Sequence, residues 1–589
     1  MQKWQTTLYA TPVWLLQTLG GILIVVAIIL ALVSRTQFAR QFRHVITPCL
    51  DKKSSLKIIA FIIAMLILLL TEVRLNVLST FMSSGLYTSM QDMNVTAFWQ
   101  FAAMNTAVVL LRTFNGAVND FFDQALAIKW SERLNRVLIT KWLAHKNYYH
   151  LQMRRYTPDN IDQRIQQDAQ TFIDNTIEFV RGMLNSVISS LEFGIVLWGL
   201  AGVLNVFGIS IPHGLVFAVF TFVILATFAA MWIGNPLIQY NYENERLNGD
   251  YRYSLIRVRD HAESVAFYHG ETVEQQRLSQ CFADIIRNRW RIARQSIGLS
   301  GFNDMFSQGI QLLPIILQAP RLFAGQIKIG DIQQTVQAFA RLQKALSFFR
   351  LFYEQFTAYR ARLERLSGFL ASMETDPHPT QPERQIVSGS LKLSQVALLR
   401  PNGEILIDNI NLNVKNGESL LIKGVSGCGK TSLLRLLANL WTHGGSGCIC
   451  APDLRETMFV PQRAYVPQGS LKEAICYPDL SPDEDTLRRA LNDCSLAHLV
   501  EHLHKVKDWQ HILSPGELQR IAFVRVLLAQ PKLILLDEST AALDEPTETA
   551  LYQLIRKTLP ESMIVSVGHR STLEALHSKS VNIVGGCDC

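Results

Sequence analysis

A glycine-rich run between an apolar segment and a helical segment has the composition of a loop that binds phosphate groups. Leu420 to Ile422 is typical of a buried strand and Ser432 to Leu437 of a helix, which is the context that such a loop requires. Glycines allow backbone N–H groups to close around phosphate oxygens, and the helix N-terminus adds its positive dipole end. The residues predicted to bind the nucleotide are Gly424, Ser426, Gly427, Cys428, Gly429, Lys430, Thr431 and Ser432.

Two side chains of this loop and two acids later in the chain have predicted chemical roles. Lys430 is expected to reach the β- and γ-phosphates, and the hydroxyl of Thr431 to bind Mg²⁺. Asp537 and Glu538 follow four apolar residues of a predicted strand. Asp537 would hold Mg²⁺ directly or through water, and Glu538 would polarise the attacking water. Because two acids after a strand also occur in ordinary domains, this interpretation depends on the phosphate loop before them.

The elements around these motifs predict an α/β domain over residues 387–589. Short apolar runs such as Ser419 to Lys423 and Leu533 to Leu536 alternate with helical segments, which is the pattern of a mainly parallel sheet. Residues 373–386 form a polar segment with prolines at positions 377, 379 and 382, which neither a helix nor a strand tolerates well. We therefore predict a linker there.

The N-terminal part of the chain contains apolar stretches long enough to cross a membrane. Of its 589 residues, 49% are hydrophobic, and a helix needs roughly 20 apolar residues to cross a hydrocarbon layer of about 30 Å. We predict an all-α membrane domain in residues 58–372, preceded by an extra N-terminal helix and a basic loop in residues 1–57. The predicted spans are Val13 to Ser34, Ile58 to Thr80, Phe98 to Val118, Met183 to Val206, Leu215 to Leu237, Ile297 to Phe323 and Ile332 to Phe356.

The distribution of charge predicts the orientation of these spans. The net charge is +7, and the loop from Arg35 to Lys57 contains many basic residues but only one acid, Asp51. The preference of basic loops for the cytoplasm explains this excess better than a nucleic-acid partner does, and it places the N-terminus outside. The C-terminal domain then lies in the cytoplasm, and we predict a multi-pass protein of the cell inner membrane. A cleaved signal peptide is the alternative, but it would force the basic loop outside.

Charged residues within or at the ends of predicted spans have two interpretations. A charge that faces lipid at mid-depth costs about 3 kcal/mol on insertion scales, so these side chains should face a water-filled cavity or each other. They either line a substrate path or pair structurally. The residues are Glu72, Arg74, Arg112 and Glu192. A polar stripe on the last span either faces a cavity or marks the exit of the helix into the cytoplasm, and it consists of Gln333, Gln334, Gln337, Arg341 and Lys344.

The run from Leu513 to Arg520, LSPGELQR, resembles the signature motif of the ABC transporter ATPases. Gln462 is similar to the glutamine of the Q-loop in that family. Leu543 and Asp544 resemble its D-loop, and His569 resembles its switch histidine. The resemblance covers roughly Ile58 to the C-terminus.

This resemblance implies the cofactors, the partner and the roles of the site residues. ATP would lie between the phosphate loop of one subunit and the signature of another, where Ser514 and Gly516 would reach the γ-phosphate. One signature per chain then requires a second copy, as a homodimer. The implied catalytic residues are Glu538, His569 and Gln462, and the implied Mg²⁺ ligands are Thr431, Gln462 and Asp537.

The sequence departs from the family pattern at two places. Pro515 replaces the first glycine of the commonest signature, although Gly516 is retained. The aromatic residue that usually stacks on adenine is not evident near Leu399 to Pro401. The adenine contact is therefore left unassigned.

Segments of the membrane half resemble one branch of this family. Asp159 to Ile165 with Asp168, and Ala262 to Tyr268, are similar to cytoplasmic-loop motifs that join the bacterial SbmA/BacA-like transporters to the subfamily D half-transporters. Trp441 and Trp509 also fit this branch. The resemblance implies an exporter-type fold with six core helices per chain, to which the first predicted span is extra.

The fold of this branch does not set the direction of transport. Its bacterial members imply uptake of hydrophilic cargo such as peptides or cobalamin across the lipid bilayer, which is our leading interpretation. An exporter of lipid, acyl-CoA or drug-like solutes is the alternative within transporters. A non-transporting regulator that uses the same ATPase is a remote alternative, because the polar stripe and the loop motifs favour a transport path.

Overall fold

The chain divides into a helical unit and an α/β unit. The helical unit comprises Met1–Asn147 and Pro158–Glu374, and the α/β unit comprises Tyr148–Thr157 and Thr375–Cys589. The computed structural model describes residues 5, 8–50, 55–153, 160–202, 204–206, 209–374 and 380–583. Within these ranges, the side chains at 23, 25–33, 55–59, 204–206, 209–211, 349–354 and 357 are not described.

Long helices joined by short turns build the part of the chain before the linker. They are α1 (Thr11–Val33), α2 (Gln37–Ile46), α3 (Ser55–Gln91), α4 (Val95–Leu143), α5 (Asn147–Met153), α6 (Ala169–Leu200), α7 (Gly214–Asp260), α8 (Ala262–Phe267), α9 (Glu271–Phe323), α10 (Ile329–Leu346) and α11 (Phe348–Glu374). A short helix at Ile161–Gln163 and a π-helical turn at Arg164–Asp168 lead into α6. Several of these helices are far longer than a bilayer requires, so they extend beyond their apolar parts.

Four helices among the described residues are long and apolar enough to cross a membrane. They are Ala60–Gln91, Val95–Met153, Ile161–Leu200 and Gly214–Asp260. The prediction of an all-α membrane region is confirmed by this architecture. The predicted span at 297–323 is helical as part of α9, and the one at 13–34 is helical as α1.

Two predicted spans differ from the helices in the structure. The span predicted to reach Val206 ends at Leu200, because Ala201 turns the backbone to an extended conformation. The chain then forms a hairpin of β1 (Leu204–Val206) and β2 (Ile209–Ile211). The span predicted at 332–356 is two helices, with Ser347 as a turn between α10 and α11. The physical reason is packing, since the ring of Phe348 occupies the space over Gly182 of α6.

The first helix packs against the core of the helical unit. Leu69, Leu70 and Val73 of α3 form a buried cluster with Ile188 of α6. Partly buried residues of α1 cover this cluster: Trp14, Leu15, Leu19 and Ile22. The extra helix is therefore held by ordinary apolar packing along its described face.

The charged residues of the predicted spans are paired inside the helical unit. Nη1 of Arg74 lies 3.4 Å from a carboxylate oxygen of Glu192. Arg112 donates to Asn76 over 3.3 Å, and Glu72 lies 3.8 Å from Arg181. Arg181 also pairs with Asp120 and Asp123. Pairing explains how the helices accommodate these charges.

The α/β unit contains a five-stranded parallel sheet, as the alternating pattern predicts. The strands are β3 (Glu383–Ile386), β4 (Ser390–Leu399), β5 (Ile405–Lys415), β6 (Ser419–Lys423), β7 (Gly445–Ala451), β8 (Thr457–Val460), β9 (Gly469–Ser470), β10 (Val506–Lys507), β11 (Leu533–Asp537), β12 (Met563–Val567) and β13 (Lys579–Asn582). The strand order of the parallel sheet is β13-β6-β12-β11-β8, and a second sheet has the order β3-β7-β4-β5. Asp537 is the partner of Val567 in the parallel pairing, and Val567 is the partner of Ile422.

Helices follow the strands and cover the sheet. Apolar residues of β6, β11 and β12 are fully buried between two hydrophobic clusters. Both faces of the parallel sheet are thus covered, as parallel sheets require. The helices are α12 (Lys430–Leu437), α13 (Leu471–Ile475), α14 (Glu484–Asp493), α15 (Trp509–Ile512), α16 (Pro515–Ala529), α17 (Glu545–Thr558) and α18 (Thr572–Leu576).

Regular structure enters both ends of the predicted linker at 373–386. Helix α11 runs to Glu374, and β3 begins at Glu383 and pairs in parallel with β7. The residues at 375–379 lie outside the described part of the chain. The segment Tyr148–Thr157, which lies between the two parts of the helical unit in the sequence, belongs to the α/β unit.

Gly330 in the first turn of α10 provides a test of the packing in the helical unit. A Cβ at this position would overlap the carbonyl oxygen of Ser84 and the hydroxyl of Thr88 in α3. We expect Gly330→Ala to lower the free energy of unfolding by about 1–3 kcal/mol, since α10 must move away from α3. Thermal unfolding of the purified full chain in detergent measures the effect.

The matched control is Gly309→Ala in the interior of α9, where a Cβ meets nothing within 4 Å. We expect this change to leave the melting temperature unchanged or higher, because alanine is the better helix former. Equal melting temperatures for the two variants would contradict the close packing of α10 on α3.

Candidate functional site

The predicted phosphate loop connects β6 to α12 and has the backbone that its glycines predict. Gly424 and Gly429 have φ of 152° and 100°, a region that favours glycine. A Cβ at Gly424 would lie 2.6 Å from the carbonyl oxygen of Ile583. The loop therefore needs glycine both for its conformation and for its close approach to the chain after β13.

Lys430 lies inside this loop. Its Nζ donates to the carbonyl oxygens of Gly424 and Val425 over 2.8 and 3.1 Å, and the residue is only 6% exposed. The ammonium group is thus held where the loop's own backbone curves around it. A positive charge in a ring of backbone groups at a helix N-terminus fits the phosphates of a nucleotide.

Thr431 and Asp537 meet at the carboxyl edge of the parallel sheet. The hydroxyl of Thr431 donates to Oδ1 of Asp537 over 2.9 Å. Burial raises the pKa of the Asp537 carboxyl; the hydrogen bond from Thr431 opposes this effect, and the neighbouring Glu538 carboxylate adds to it. A buried carboxylate is stabilised by a cation, and hydroxyl and carboxylate oxygens are ligands that Mg²⁺ prefers. The residues present therefore fit a magnesium ion.

Glu538 lies between two side chains that the sequence predicts to be catalytic. Nε2 of Gln462 donates to Oε2 of Glu538 over 3.0 Å, and Nε2 of His569 lies 3.6 Å from Oε1. Glu538 also has a φ of 45°, in the left-handed region that residues other than glycine rarely adopt. Its amide donates to the carbonyl of Val567 over 3.1 Å, which holds this conformation. Strained backbone of this kind is common at functional sites.

The remaining loop residues take supporting positions. Ser426 is exposed at the loop, whereas Cys428 is buried, and its amide donates to the carbonyl of Val425. Ser432 lies in the first turn of α12. The structure therefore places the predicted residues from Gly424 to Ser432 on the loop after β6 and in the first turn of α12.

The signature residues make contacts within their own turn. Ser514 caps α16, because its Oγ accepts from the backbone N–H of Glu517 over 3.3 Å. The carboxylate of Glu517 completes the capping box, since its Oε2 accepts from the backbone N–H of Ser514 over 2.8 Å. Pro515 occupies the first helical position, where its missing N–H costs nothing, so the proline suits this helix start. Gly516 lies beside the carbonyl oxygen of Ala542. Among the described residues, no hydrogen bond or ion pair joins Ser514 to the phosphate loop.

Sequence reasoning missed Gln519, which connects two parts of the site. Its Nε2 donates to the carbonyl of Gln462 over 3.2 Å, and its Oε1 accepts from the amide of Ala542 over 3.0 Å. Gln519 is 5% exposed. Gln519 thus connects Gln462 to the segment that precedes Asp544. Its position two residues after Glu517 in the signature run was the available signal.

Arg570 and Glu548 form a second connection that the sequence did not reveal. Arg570 donates to the carbonyls of Leu543 and Ala541 over 2.7 and 3.0 Å and lies 3.7 Å from Glu548. Glu548 is completely buried and also accepts from Thr540 and Thr572. Arg570, the residue after His569, therefore holds the loop that follows Glu538.

The structure places the other residues of the family resemblance as follows. Trp509 is 2% exposed, and its Nε1 donates to the carbonyl of Lys505, so it is part of the core. In the helical unit, Asp168 is buried and lies 3.3 Å from Arg365, whose carbonyl accepts from Arg164. Asp159 lies outside the described residues. The second motif forms the short exposed helix α8.

Comparisons with known proteins identify both parts of the chain. Residues 43–323 match the family model described as ABC transporter transmembrane region 2, and residues 407–541 match the model described as ABC transporter. An uncharacterized ABC transporter ATP-binding protein of Haemophilus influenzae is 47% identical over 99% of this chain and 98% of its own length.

Two further relatives have more specific names. The inner membrane ABC transporter ATP-binding protein YddA of Escherichia coli is 30% identical, over 88% of this chain and 92% of its own. The human lysosomal cobalamin transporter ABCD4 is 26% identical, over 93% of this chain and 95% of its own. The identity and coverage, together with the site geometry, lead to one conclusion: this chain belongs to the ABC transporter family, as a half-transporter that joins a transmembrane region to an ATPase domain.

Proposed function

We propose that two copies of this chain form an ATP-driven importer of hydrophilic solutes in the cell inner membrane. The observation that carries the ATP-driven part is the position of Glu538 between Gln462 and His569, next to the Thr431 and Asp537 pair. The inner membrane is supported by the name of the Escherichia coli relative. The charge pattern supports a cytoplasmic position of the α/β unit.

The catalytic step is assigned to Glu538. Its carboxylate would accept a hydrogen bond from the attacking water and polarise it, while Gln462 and His569 fix the orientation of the carboxylate. Lys430 would balance the charge on the terminal phosphates. Thr431 and Asp537, with Gln462, would hold Mg²⁺, which supplies further positive charge at the β- and γ-phosphates.

The proposed homodimer follows from the position of the signature. Ser514 is engaged with Glu517 in its own turn, and in the described part of the chain no hydrogen bond connects it to the phosphate loop. A site that needs both motifs is therefore completed by a second copy. Ser514 and Gly516 of each chain would then contact the γ-phosphate bound to the other, giving two equivalent sites.

The proposed cargo rests on the polarity of the helical unit. Charged and amide side chains line a cavity of about 600 Å³, among them Glu72, Asp123, Arg181 and Arg341. Such walls suit a hydrophilic solute better than a lipid. The name of the human relative, a lysosomal cobalamin transporter, supports cobalamin as one candidate, and a peptide is the other. Export of lipid, acyl-CoA or drug-like solutes is the competing function.

Removal of the catalytic carboxylate tests the ATPase assignment. We expect Glu538→Gln to retain ATP binding and to lower the turnover number by at least about 100-fold, because the amide cannot polarise water as a carboxylate does. Phosphate release and nucleotide binding by the purified full chain measure the two effects. Glu501→Gln, an exposed glutamate elsewhere in the same unit, is the matched control. Undiminished hydrolysis by Glu538→Gln would overturn the assignment.

The two hydrogen bonds from Arg570 to the loop after Glu538 lead to another prediction. Lysine keeps the positive charge near Glu548 but lacks the planar fork with which Arg570 donates to the two carbonyls from Nη1 and Nη2. We expect Arg570→Lys to lower ATP turnover by roughly three- to tenfold, which is the loss of about one hydrogen bond, with little change in ATP affinity. Arg556→Lys is the control, since Arg556 also donates to a carbonyl, that of Gly417, away from the site. A loss of equal size in both variants would argue against a specific role of Arg570.

Transport itself is tested in cells that express the wild type or Glu538→Gln. We expect uptake of labelled cobalamin or of a labelled proline-rich peptide to depend on the wild-type carboxylate. Loss of uptake in the variant would support an ATP-driven importer and identify its cargo. Equal uptake of both compounds in the two strains would reject import and favour export of a lipid-like solute.

A further inference from the structure

A large cavity in the helical unit lies between α3, α6 and the start of α10. Its volume is about 1060 Å³, which is comparable with the upper range of small-molecule sites. Its lining combines the apolar rings of Phe81 and Phe101 with hydroxyl groups, including those of Ser84 and Thr88. We call this space the Gln334 cavity, after the buried amide in its lining. It is distinct from the cavity lined by Arg181 and Arg341.

The amide of Gln334 has an unused hydrogen-bond donor. Gln334 is 3% exposed, and its Nε2 has no hydrogen-bond partner among the described residues. Buried polar groups of native proteins are nearly always paired, so an unpaired one requires an explanation. A ligand with a carbonyl or carboxylate oxygen in the Gln334 cavity would supply the missing acceptor.

Most of the charges around the cavity are already paired. Arg74 and Glu192 pair with each other at its lining, and Lys328 lies 2.6 Å from Asp92. Asp331 accepts from the backbone N–H of Lys328. A ligand with a strong net charge would therefore have to compete with these pairs. The hydroxyl and amide groups remain available for uncharged polar atoms.

The first helix contributes to this site. Nε1 of Trp14 donates to Glu192 over 2.6 Å, and Thr11 accepts from Nε of Arg74 over 3.3 Å. The guanidinium of Arg74 also lies 4.9 Å from the centre of the Trp14 ring. Ala10 lines the cavity directly. The extra helix thus holds both members of the ion pair that borders the cavity.

We propose that the Gln334 cavity binds the transported solute, and that this solute is neutral or zwitterionic, bears amide or other carbonyl groups and has an apolar face. Nε2 of Gln334 donates to a carbonyl oxygen of the solute, and the rings of Phe81 and Phe101 pack against its apolar part. This inference rests on the proposed transport function and names the solute class and the site. On the topology inferred from charge, the cavity lies towards the outside, where an importer receives its cargo.

Two other chemical classes fit the cavity less well. A long acyl chain would cover the hydroxyl groups of the lining and leave Gln334 unpaired, which is unfavourable for buried polar groups. A polyanion would meet Glu192, Asp92 and Asp331 at the lining. The acyl chain, tested as palmitate, serves as the comparison ligand.

The test measures binding of N-acetyl-Ala-Phe-Ala-amide to the full chain in lipid nanodiscs by calorimetry, without nucleotide. We expect Gln334→Met to weaken binding about two- to tenfold, the range for loss of one neutral hydrogen bond. The melting temperature of the ligand-free variant should stay equal or rise, because the unpaired donor is gone. Gln343→Met is the matched control, since Gln343 is also buried in α10 but lines a different cavity.

A second variant fills the space without touching Gln334. Gly199 lines the cavity, and a Cβ there meets nothing within 4 Å, so the side chain of Gly199→Leu has room at its first atom. We expect it to abolish measurable peptide binding while the protein still folds. Gly116→Leu, in an equally open position on α4 outside this cavity, should bind the peptide as the wild type does.

The outcomes separate this inference from the proposed function. No binding by the wild type, tighter binding of palmitate, or binding unaffected by Gly199→Leu would each overturn the site. Because the binding assay needs no hydrolysis, it can fail while uptake still depends on Glu538. It can also succeed if uptake does not depend on Glu538, in which case only the direction or the energy coupling of transport is wrong.

Discussion

The parallel pairing of β6, β12, β11 and β8 is the constraint on which the ATPase site depends. Parallel strands end at the same edge of a sheet, so the segments that follow them must lie close together. Asp537 is level with Val567, and Val567 with Ile422. This register brings the phosphate loop, Glu538 and His569 to one edge, although they are far apart in the sequence. A shift of one residue would turn the acids towards the opposite face.

Buried polar connections then fix the parts of the site relative to one another. Gln519 joins Gln462 to the segment before Asp544, and Arg570, the residue after His569, holds the same segment. Glu548 is completely buried, which is tolerable only because Thr540, Thr572 and Arg570 surround its carboxylate. These contacts make the loop after Glu538 a rigid part of the site rather than a free connection.

The helical unit must accommodate charged side chains among apolar helices. Arg74 with Glu192, and Arg181 with Glu72, Asp120 and Asp123, compensate each other. The pairing interpretation therefore holds for Glu72, Arg74 and Glu192. These residues also border cavities, but their place on a substrate path stays a prediction. Pairing keeps the charges in place, and the same side chains give the cavities polar walls.

The sequence by itself determined the family, the order of a membrane region and an α/β domain, and the motifs of the ATPase site. These signals are local, because a phosphate loop, a signature run or an apolar span is read from neighbouring residues. The turn at Ser347, the partners of the membrane charges and the clamps of Gln519 and Arg570 join residues that are distant in sequence. Only the tertiary structure decided them, because a contact between distant residues depends on how helices and strands pack. The orphan amide of Gln334 belongs to the same class, since the burial of a donor has no signature in the sequence around it.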